Sequence, residues 1–600
     1  MPGYKKLADA CNPRGCLVFA QLTHPGREMA LASDGSRPVA YAPSAVPNER
    51  FHVMPRALPN ELISEITDGF EQSAAHLRQA GLDGVELVAS HGYLLGQFLN
   101  PKVNLRSDGY GGTFEGRLRL LREAIEATRR GAGEDMIIGL RLSGDEKDFA
   151  GMGLDRVLEI CSALDGVSDP DYFNITAGTS AGLVGSTHIV PSMAYELGYT
   201  APISASIKTR VSKPVFVAGR INQPEIAEKI LEMGQADMCG MTRALISDPE
   251  MPLKARCGDL EDIRACVACN QACIEHMLQA CPISCIQRPE TGRELQYANL
   301  SKAPSRKRIL VAGSGPAGLK AASIAARRGH EVILCEKSNA LGGQINLAQS
   351  LPGRAEFGGI TVNLQKELSK TAARLHLNCF VNLDVIENIA PDVVISATGA
   401  TPYRAQIDGA DDAHVVNAWQ VLQGQTNVGG CVVIADWRCD WVGLGLAELL
   451  VKQGRHVRLA VNGMVAGQNI PQYARDTWIV TLHKLGVEII PHVRVVGVDS
   501  EDAYFQNTLS GEPVLLNAVD TLVTALGHSA ETKLEKDLSA HRILHHIIGD
   551  CLSPRTVEEA VLEGLTIGAT LLRAKAFKSW ARFVRARRLS RKFRLGASLG

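Results

Sequence analysis

The strongest constraint on the fold is an alternation, over the first 250 residues, between short apolar runs and longer amphipathic stretches. Apolar runs of this length indicate buried strands, and the stretches between them have helical spacing, so the pattern predicts βα units in a parallel sheet. A closed parallel barrel needs about eight strands, and this region supplies fewer. The six runs are residues 17–22, 84–88, 136–140, 172–176, 215–218 and 237–240.

The second half of the chain indicates a doubly wound α/β fold with two dinucleotide-binding domains. A polar linker at 301–308 leads into a strand, a glycine turn and a helix, and a second strand of this kind begins at Cys431. The last residues form a basic stretch that is interpreted as a solvated tail, with an acidic partner or a membrane surface as the alternative. The predicted domains are a barrel over 1–250, a connector over 251–300, a nucleotide-binding domain over 301–425 and 520–572, a second lobe over 426–519, and a basic tail over 573–600.

Charge and hydropathy exclude several classes of protein. The chain has 63 Lys and Arg against 64 Asp and Glu, so its formal net charge of -1 provides no overall attraction to nucleic acid. No uncharged apolar run approaches the roughly 18 residues of a membrane helix, and the amino terminus lacks the apolar core of a secretion signal. We therefore predict a cytoplasmic protein with no membrane span and no nucleic-acid partner.

A glycine motif, Gly313-x-Gly315-x-x-Gly318, lies between the strand that begins at Arg308 and the helix that follows. The first glycine allows a tight turn, the second lets a pyrophosphate approach the backbone, and the third permits close packing. Glu336, at the end of the next strand, can bond a ribose hydroxyl. A purely structural turn is the alternative, but this context favours a dinucleotide site.

Three later motifs, Gly342-Gly343-Gln344, Ala397-Thr-Gly399 and Ile548-Gly-Asp550, occur in the order found in two-dinucleotide-domain flavoproteins, which this half resembles. The resemblance implies that Gly343 and Gln344 contribute to binding FAD and that Asp550 meets the ribityl chain. Bare ADP in place of FAD is the alternative, because both ligands share the adenylate half.

The second strand start departs from this pattern. Ala435, Trp437 and Asp440 stand in the turn where glycines are expected. A bulky indole and a carboxylate would obstruct and repel a pyrophosphate. We therefore expect this lobe to keep its fold without binding NAD(P)H.

The cysteines also form a motif. Of fifteen in the chain, five lie between Cys266 and Cys285, which in a chain without a secretion signal indicates a metal or redox site rather than disulfides. Four thiolates at this spacing suit a [4Fe-4S] cluster or a structural zinc ion, and the flavin motifs favour the cluster. The predicted ligands are Cys266, Cys269, Cys273 and Cys285.

The first half resembles the old yellow enzyme family of FMN barrels. The matching motifs are at residues 21–27 (Gln-Leu-Thr-His-Pro-Gly-Arg), 84–101 and 104–112. The order of barrel, cysteine cluster and dinucleotide domain is that of 2,4-dienoyl-CoA reductase, trimethylamine dehydrogenase and the dimethylglycine and N-methylproline demethylases. In that group two further βα units precede the Gln21 strand. The resemblance implies a (β/α)8-type barrel lacking its first two βα units, with the true start upstream or the chain a damaged product.

The resemblance also assigns roles to single residues. It implies that Gln21 and Arg141 contact the flavin ring, and that His91 and Tyr93 polarise and protonate the substrate, with His188 completing the pocket. The alternative is a satisfied barrel histidine, an interface tyrosine and a surface loop histidine. The residues implied at the FMN phosphate are Gly219, Arg220, Gly240, Thr242 and Arg243, where Thr242 replaces the family's usual glycine.

We expect an FMN and iron-sulfur oxidoreductase that demethylates a small N-methylated amine or betaine-derived amino acid. Electrons would leave through the cluster to an external acceptor such as an electron-transfer flavoprotein, because the nicotinamide fingerprint is lost. A homo-oligomer is expected. One alternative is NAD(P)H-dependent reduction of an activated alkene. Trp437 and Asp440 disfavour it, as does Val88, which stands where the resemblance implies the first histidine of the reductases' His pair. The other alternative is an inactive chain that retains FAD alone.

Overall fold

The computed structural model describes residues 1–29, 31–32, 34–166 and 170–571, so the predicted basic tail lies outside the described residues. The chain forms two compact units. The first consists of Met1–Asn270 with Pro471–Thr481, and the second of Gln271–Ile470 and the chain from Leu482 onward. Within the described ranges, no helix is long and apolar enough to cross a membrane.

The first unit is a helix-covered parallel sheet of six strands, in the order β1-β4-β5-β6-β7-β8. Its strands are β1 (Phe19–Leu22), β2 (Tyr41–Ala42), β3 (Arg56–Ala57), β4 (Gly84–Val88), β5 (Ile137–Asp145), β6 (Tyr172–Ala177), β7 (Val215–Ala218) and β8 (Met238–Gly240). Its helices are α1 (Pro2–Cys11), α2 (Asn60–Gln79), α3 (Leu94–Leu99), α4 (Phe114–Ala132), α5 (Leu154–Ala163), α6 (Leu183–Ser186), α7 (Ala201–Lys208), α8 (Pro224–Glu232), α9 (Thr242–Ser247) and α10 (Met251–Cys257).

Glycines at two strand positions make room for aromatic side chains in this sheet. A Cβ at Gly139 would lie 2.0 Å from the ring of Tyr172, and one at Gly84 would lie 2.8 Å from the ring of Phe19. Phe216 stacks on Tyr172 with ring centroids 4.4 Å apart. These aromatic rings fill one end of the sheet face on which they lie. The polar side chains of that face lie toward the carboxyl ends of the strands.

The second unit contains two parallel five-stranded sheets, of order β11-β10-β9-β12-β23 and β14-β21-β15-β16-β17, with smaller antiparallel sheets. Its strands are β9 (Arg308–Ala312), β10 (Glu331–Cys335), β11 (Arg374–His376), β12 (Val393–Ser396), β13 (Ala400–Pro402), β14 (Val415–Asn417), β15 (Cys431–Asp436), β16 (His456–Val461), β17 (Glu488–Ile490), β18 (Val493–Val498), β19 (Ala503–Asn507), β20 (Pro513–Leu516), β21 (Thr521–Ala525), β22 (His528–Ala530) and β23 (His545–Ile547).

The helices of this unit are α11 (His276–Leu278), α12 (Glu294–Tyr297), α13 (Pro316–Arg327), α14 (Ile345–Ala348), α15 (Gly359–Ser369), α16 (Leu383–Ile389), α17 (Ala418–Leu422), α18 (Trp441–Lys452), α20 (Lys533–Ala540) and α21 (Val557–Thr570). One more helix of this half of the sequence, α19 (Gln472–Lys484), belongs to the first unit through its residues 472–481. The predicted fold class, a barrel-type parallel sheet of six strands followed by two doubly wound domains, is confirmed.

Candidate functional site

A buried carboxylate organises the inner face of the first sheet. Glu86 accepts hydrogen bonds from Gln21 Nε2 at 2.7 Å and from Asn174 Nδ2 at 2.8 Å. Tyr172 donates a third, at 2.9 Å. These contacts follow from the register, which pairs Gln21 on β1 with Glu86 on β4. Gln21, predicted to face the flavin, is therefore fixed by Glu86.

Arg141 supplies the positive charge of this layer. Its Nη1 lies 4.0 Å from Glu86 Oε1, and its side chain is about four-fifths buried. Burial lowers the pKa of Arg141, and the nearby Glu86 carboxylate acts against that change, so the guanidinium stays charged. A fixed cation in the middle of β5 and an amide near the carboxyl end of β1 are donors suited to a flavin ring, so these residues fit the predicted FMN.

His91 and Tyr93 lie together just beyond β4. Their rings meet edge to face with centroids 6.4 Å apart. His91 has a left-handed φ of 61°, which costs about 1 kcal/mol for a residue with a Cβ. Its backbone N–H donates to Ser143 Oγ at 2.9 Å, which holds it there. The structure thus brings these two predicted site residues together in one turn.

The environment of these two side chains keeps both uncharged. Burial, aided by the Arg141 charge and opposed by the Gly178 carbonyl, lowers the pKa of His91 to about 3. Burial also raises the pKa of Tyr93, with Tyr473 and Glu28 adding to the rise and Arg50 opposing it. At neutral pH the pair therefore offers a neutral imidazole and a phenol O–H.

A buried charged cluster next to this turn had no counterpart in the sequence prediction. Glu28 and Glu146 are 8% and 3% exposed, and burial raises the pKa of each to about 7. Arg27, also buried, donates to the carbonyls of Val46 and Pro47. Arg27 ends a recognised motif and Glu28 directly follows it, but this position does not reveal that they are buried, because charged side chains are expected at the surface.

His188 belongs to an aromatic group with Tyr195 and Tyr199. Its ring centroid is 4.6 Å from that of Tyr195, and its Nδ1 is 3.2 Å from the Tyr199 hydroxyl. Burial, aided by Lys147 and opposed by Asp145, lowers the pKa of His188 to about 4. The side chain is thus a neutral member of an aromatic wall, and its predicted role in the pocket stays a prediction.

The residues predicted to hold the FMN phosphate lie at the ends of β7 and β8. Gly219 has a φ of 151° and Arg220 a left-handed φ of 55°, so the chain turns sharply after β7. Gly240 ends β8, and Thr242 opens α9. Arg243 Nη1 donates to the Pro191 carbonyl and to Asn270 Oδ1, at 2.9 and 2.7 Å. Arg220 and Arg243, at the turns that follow β7 and β8, are side chains suited to binding a phosphate.

In the second unit, the predicted adenylate site has the geometry of a dinucleotide turn. Gly313 has a φ of 103°, and a Cβ at Gly318 would lie 1.9 Å from the Gly313 carbonyl oxygen. A Cβ at Gly315 would meet nothing within 4 Å, so open space lies where a phosphate would approach. This turn fits the predicted adenine dinucleotide.

Glu336 is held by the same turn. Its Oε2 accepts from the N–H and hydroxyl of Ser314 at 2.9 and 2.7 Å, and its Oε1 accepts from Ser338. Burial acts to raise the pKa of Glu336, but the hydrogen bonds from Ser314 and Ser338 hold it below its ordinary value. The carboxylate is therefore ionised. Its four hydrogen bonds from Ser314 and Ser338 occupy its acceptor sites, so a ribose hydroxyl would have to displace one of them.

The remaining predicted flavin contacts of this unit also come together. Gln344 Nε2 donates to Asp550 Oδ2 at 2.8 Å, although 206 residues separate them. Gly343 has a φ of 55°, and a Cβ there would lie 3.3 Å from Gly315 Cα. The glycine turn, the Gly343 loop and Asp550 thus surround one site.

The corresponding turn of the second lobe is filled by its own side chains. Arg438 Nε donates to Asp440 Oδ2 at 2.9 Å, and Asp440 Oδ1 accepts from the N–H of Val442, which caps α18. The cavity that Arg438 and Asp440 line with Gly527 and His528 has a volume of about 20 Å³, enough for about one water molecule. This turn leaves little room for a pyrophosphate, and the expected loss of NAD(P)H binding stays a prediction.

The cysteine motif gives no metal-ion geometry in this structure. No group of three or more His, Cys, Asp or Glu side chains in the described part of the chain is arranged to hold a metal ion. The four predicted ligands, Cys266, Cys269, Cys273 and Cys285, form no disulfides. The iron-sulfur cluster therefore stays a prediction from the cysteine spacing.

Comparison with known proteins agrees with both halves of this description. Residues 1–261 match the NADH:flavin oxidoreductase / NADH oxidase family, and residues 307–543 match the pyridine nucleotide-disulphide oxidoreductase family. An NADH oxidase of Thermoanaerobacter brockii is 33% identical, over 94% of this chain and 87% of the relative. The N,N-dimethylglycine/sarcosine dehydrogenase of Chromohalobacter salexigens is 32% identical, over 94% of this chain and 88% of the relative.

Solved structures show the same arrangement. A 2-naphthoyl-CoA reductase, in complex with 2-naphthoyl-CoA, superposes with a TM-score of 0.86 at 29% identity, covering 95% of this chain and 87% of the other. The near full-length matches do not establish the predicted truncation of the barrel. They do establish the family: the chain belongs to the NADH:flavin oxidoreductase / NADH oxidase family, carries a second domain of the pyridine nucleotide-disulphide oxidoreductase family, and is a flavoprotein oxidoreductase.

Proposed function

We propose that this flavoprotein oxidatively removes a methyl group from a small N-methylated amine or amino acid and delivers the electrons to an external protein acceptor, such as an electron-transfer flavoprotein. The observation that carries the proposal is the second-lobe turn, where Arg438 bonds to Asp440 and the cavity that they line has a volume of only about 20 Å³. If NAD(P)H does not bind at this turn, reducing equivalents have to come from the substrate. The similarity to a dimethylglycine/sarcosine dehydrogenase supports this direction.

In the proposed reaction, a C–H bond of the N-methyl group breaks and both of its electrons leave as hydride. Water adds to the resulting iminium carbon, and the C–N bond then breaks to release formaldehyde, the demethylated amine and a proton. Bound FMN supplies the hydride acceptor, held by Gln21 and Arg141 and, at its phosphate, by Arg220 and Arg243. Arg141 provides the positive charge that favours electron transfer toward this site.

The uncharged pair His91 and Tyr93 suits this chemistry. An amine must lose its proton before it can release hydride, because a protonated nitrogen has no lone pair to stabilise the iminium. Since burial and Arg141 keep His91 neutral, its imidazole adds no positive charge next to that nitrogen. Tyr93 keeps its proton and can donate a hydrogen bond that orients the substrate.

The test is anaerobic mixing of the flavin-loaded enzyme with N,N-dimethylglycine, N-methylproline and dimethylethylamine. We expect at least one of them to bleach the flavin and release formaldehyde. If no N-methyl compound bleaches the flavin, the proposal is wrong. Assays for iron and acid-labile sulfide on the same preparation test the cluster at Cys266, Cys269, Cys273 and Cys285 separately.

A second candidate is reduction of an activated alkene with electrons from NAD(P)H. The Tyr93 phenol beside His91 could polarise a carbonyl and protonate a reduced alkene, and a similar structure is that of a 2-naphthoyl-CoA reductase. Rapid bleaching by NADH or NADPH would favour this reaction over demethylation.

A further inference from the structure

Arg50, in the loop between β2 and β3, is a positively charged side chain that hydrogen-bonds to neutral groups. Its Nη2 donates to Gln472 Oε1 at 3.4 Å and to the Tyr473 hydroxyl at 3.3 Å, both long and both to neutral groups. The structure gives it no ion pair with any carboxylate among the described residues, and its Nε is buried without a hydrogen-bond partner. A partly buried guanidinium in this state is poorly compensated.

Aromatic rings fix the orientation of this guanidinium. Its central carbon lies 4.9 Å from the ring centroid of Phe51 and 5.1 Å from that of Tyr473. Stacking on ring faces leaves the N–H groups of the guanidinium to bond in their own plane. A guanidinium that presents N–H groups in its own plane can bind a carboxylate through two parallel hydrogen bonds.

A chain of hydrogen bonds ties the Arg50 loop to the predicted catalytic turn. Asn48 Oδ1 accepts from the N–H of Phe51, and Asn48 Nδ2 donates to Glu28 Oε1, each at 2.8 Å. Glu28 Oε2 accepts from the Ser180 hydroxyl at 2.7 Å, and the Ser180 N–H donates to the His91 carbonyl at 2.9 Å. Arg50 is therefore positioned by the same network that positions His91.

A guanidinium and a carboxyl group lie near each other in this part of the first unit. Arg50 bonds to Tyr473, and Asn48 links the backbone of the Arg50 loop to Glu28. Arg50, Glu28 and Tyr473 also act on the Tyr93 phenol. Glu28 accepts hydrogen bonds from Ser180 and Asn48 but forms no ion pair with a described residue. A separated guanidinium and carboxylate match the two ends of a zwitterion.

We propose that Arg50 is a specificity-determining residue that binds the carboxylate of an N-methylated amino acid, with Tyr473 holding the guanidinium in place. This inference rests on the proposed function for its substrate class and narrows that class from amines in general to amino acids. Arg50 binds the end of the substrate remote from the N-methyl carbon, so it acts on affinity more than on the hydride step.

The experiment compares N,N-dimethylglycine with dimethylethylamine, in which a methyl group replaces the carboxylate. For Arg50→Met we expect dimethylglycine to bind about 10- to 100-fold more weakly, the range for losing a hydrogen bond between charged groups. Binding of dimethylethylamine should change less than twofold. Arg37→Met, which removes an exposed arginine of the same unit, should change neither. Arg50→Lys should recover part of the dimethylglycine affinity, since it restores the charge but not the bidentate geometry.

Two readouts separate this inference from the proposed function. Calorimetric titration of the flavin-loaded enzyme measures binding, and anaerobic bleaching measures chemistry. Dimethylglycine that binds through Arg50 without bleaching the flavin would refute demethylation of this substrate and support the inference. An Arg50→Met enzyme that binds dimethylglycine normally, or loses both ligands equally, would overturn the inference, as would a native enzyme that does not bind dimethylglycine.

Discussion

Glu146 offers a direct test of the buried charge in the first unit. Its side chain is 3% exposed, and it accepts a hydrogen bond from the Met152 N–H at 2.7 Å. Burial raises its pKa from 4.5 to about 7, a rise that the Met152 N–H opposes and the charge of Asp148 adds to. Since each tenfold change in proton affinity is worth about 1.4 kcal/mol, ionising this group inside the fold costs about 3 kcal/mol.

The sign of the pH dependence follows. The folded state holds the Glu146 proton more tightly than the unfolded chain does, so the group favours folding most below pH 4.5. That contribution is lost as the pH rises from 4.5 to about 7. Glu146→Gln stays uncharged and can still accept from Met152. Between pH 5.5 and pH 8, the free energy of unfolding of the Glu146→Gln variant should therefore rise by about 2 kcal/mol relative to that of the native protein.

Urea unfolding at these two pH values measures the difference. Glu115→Gln is the matched control, because Glu115 is largely exposed and its ion pair with Arg122 is a surface one. This control should shift by less than about 0.5 kcal/mol at either pH. A Glu146→Gln variant whose stability relative to the native protein is the same at both pH values would refute the argument that burial governs this carboxyl.

Three further outcomes are expected. The Gly318→Ala variant should lose the adenine dinucleotide, because the new Cβ would lie 1.9 Å from the Gly313 carbonyl oxygen. The control Gly69→Ala, whose Cβ would have no atom within 4 Å, should retain it. The amount of cofactor released on denaturation measures both outcomes. Glu86→Gln should lower the free energy of unfolding by about 2 kcal/mol, since its amide N–H₂ would face other donors, and an unchanged urea midpoint would contradict this. In stopped flow, NADH and NADPH should leave the flavin oxidised, and rapid reduction by either would contradict the lost nicotinamide site.

The sequence predicted the strand scaffold well because each strand is a short apolar run between helical stretches. The six predicted runs correspond to β1 and β4–β8, although β5 extends to Asp145, beyond the predicted end at residue 140. The register of a parallel sheet then places Gln21 beside Glu86 without further information. Local pattern was sufficient here because both partners lie on adjacent strands.

The charged parts of the site were less predictable for two physical reasons. Glu28 and Glu146 are buried against the general preference of carboxylates for water, and a single sequence shows no sign of it. Arg50 bonds to Tyr473, 423 positions later, and no spacing rule connects residues so distant. The segment that brings Tyr473 comes from the second half of the sequence but belongs to the first compact unit.

The two nucleotide-binding lobes have the same arrangement of strand, turn and helix but differ in the residue that caps the helix. In each, a parallel strand leads through a turn into a helix, and the first N–H groups of that helix need acceptors. At α13 the N-cap is Gly315, and no described side chain caps the helix, so its N–H groups and positive dipole remain for a phosphate. At α18 the N-cap is Asp440, whose carboxylate already accepts from Val442 and pairs with Arg438. An anion at α18 would have to displace a carboxylate that is held by two partners. The direction of electron flow proposed for this enzyme therefore depends on the residue at one helix cap.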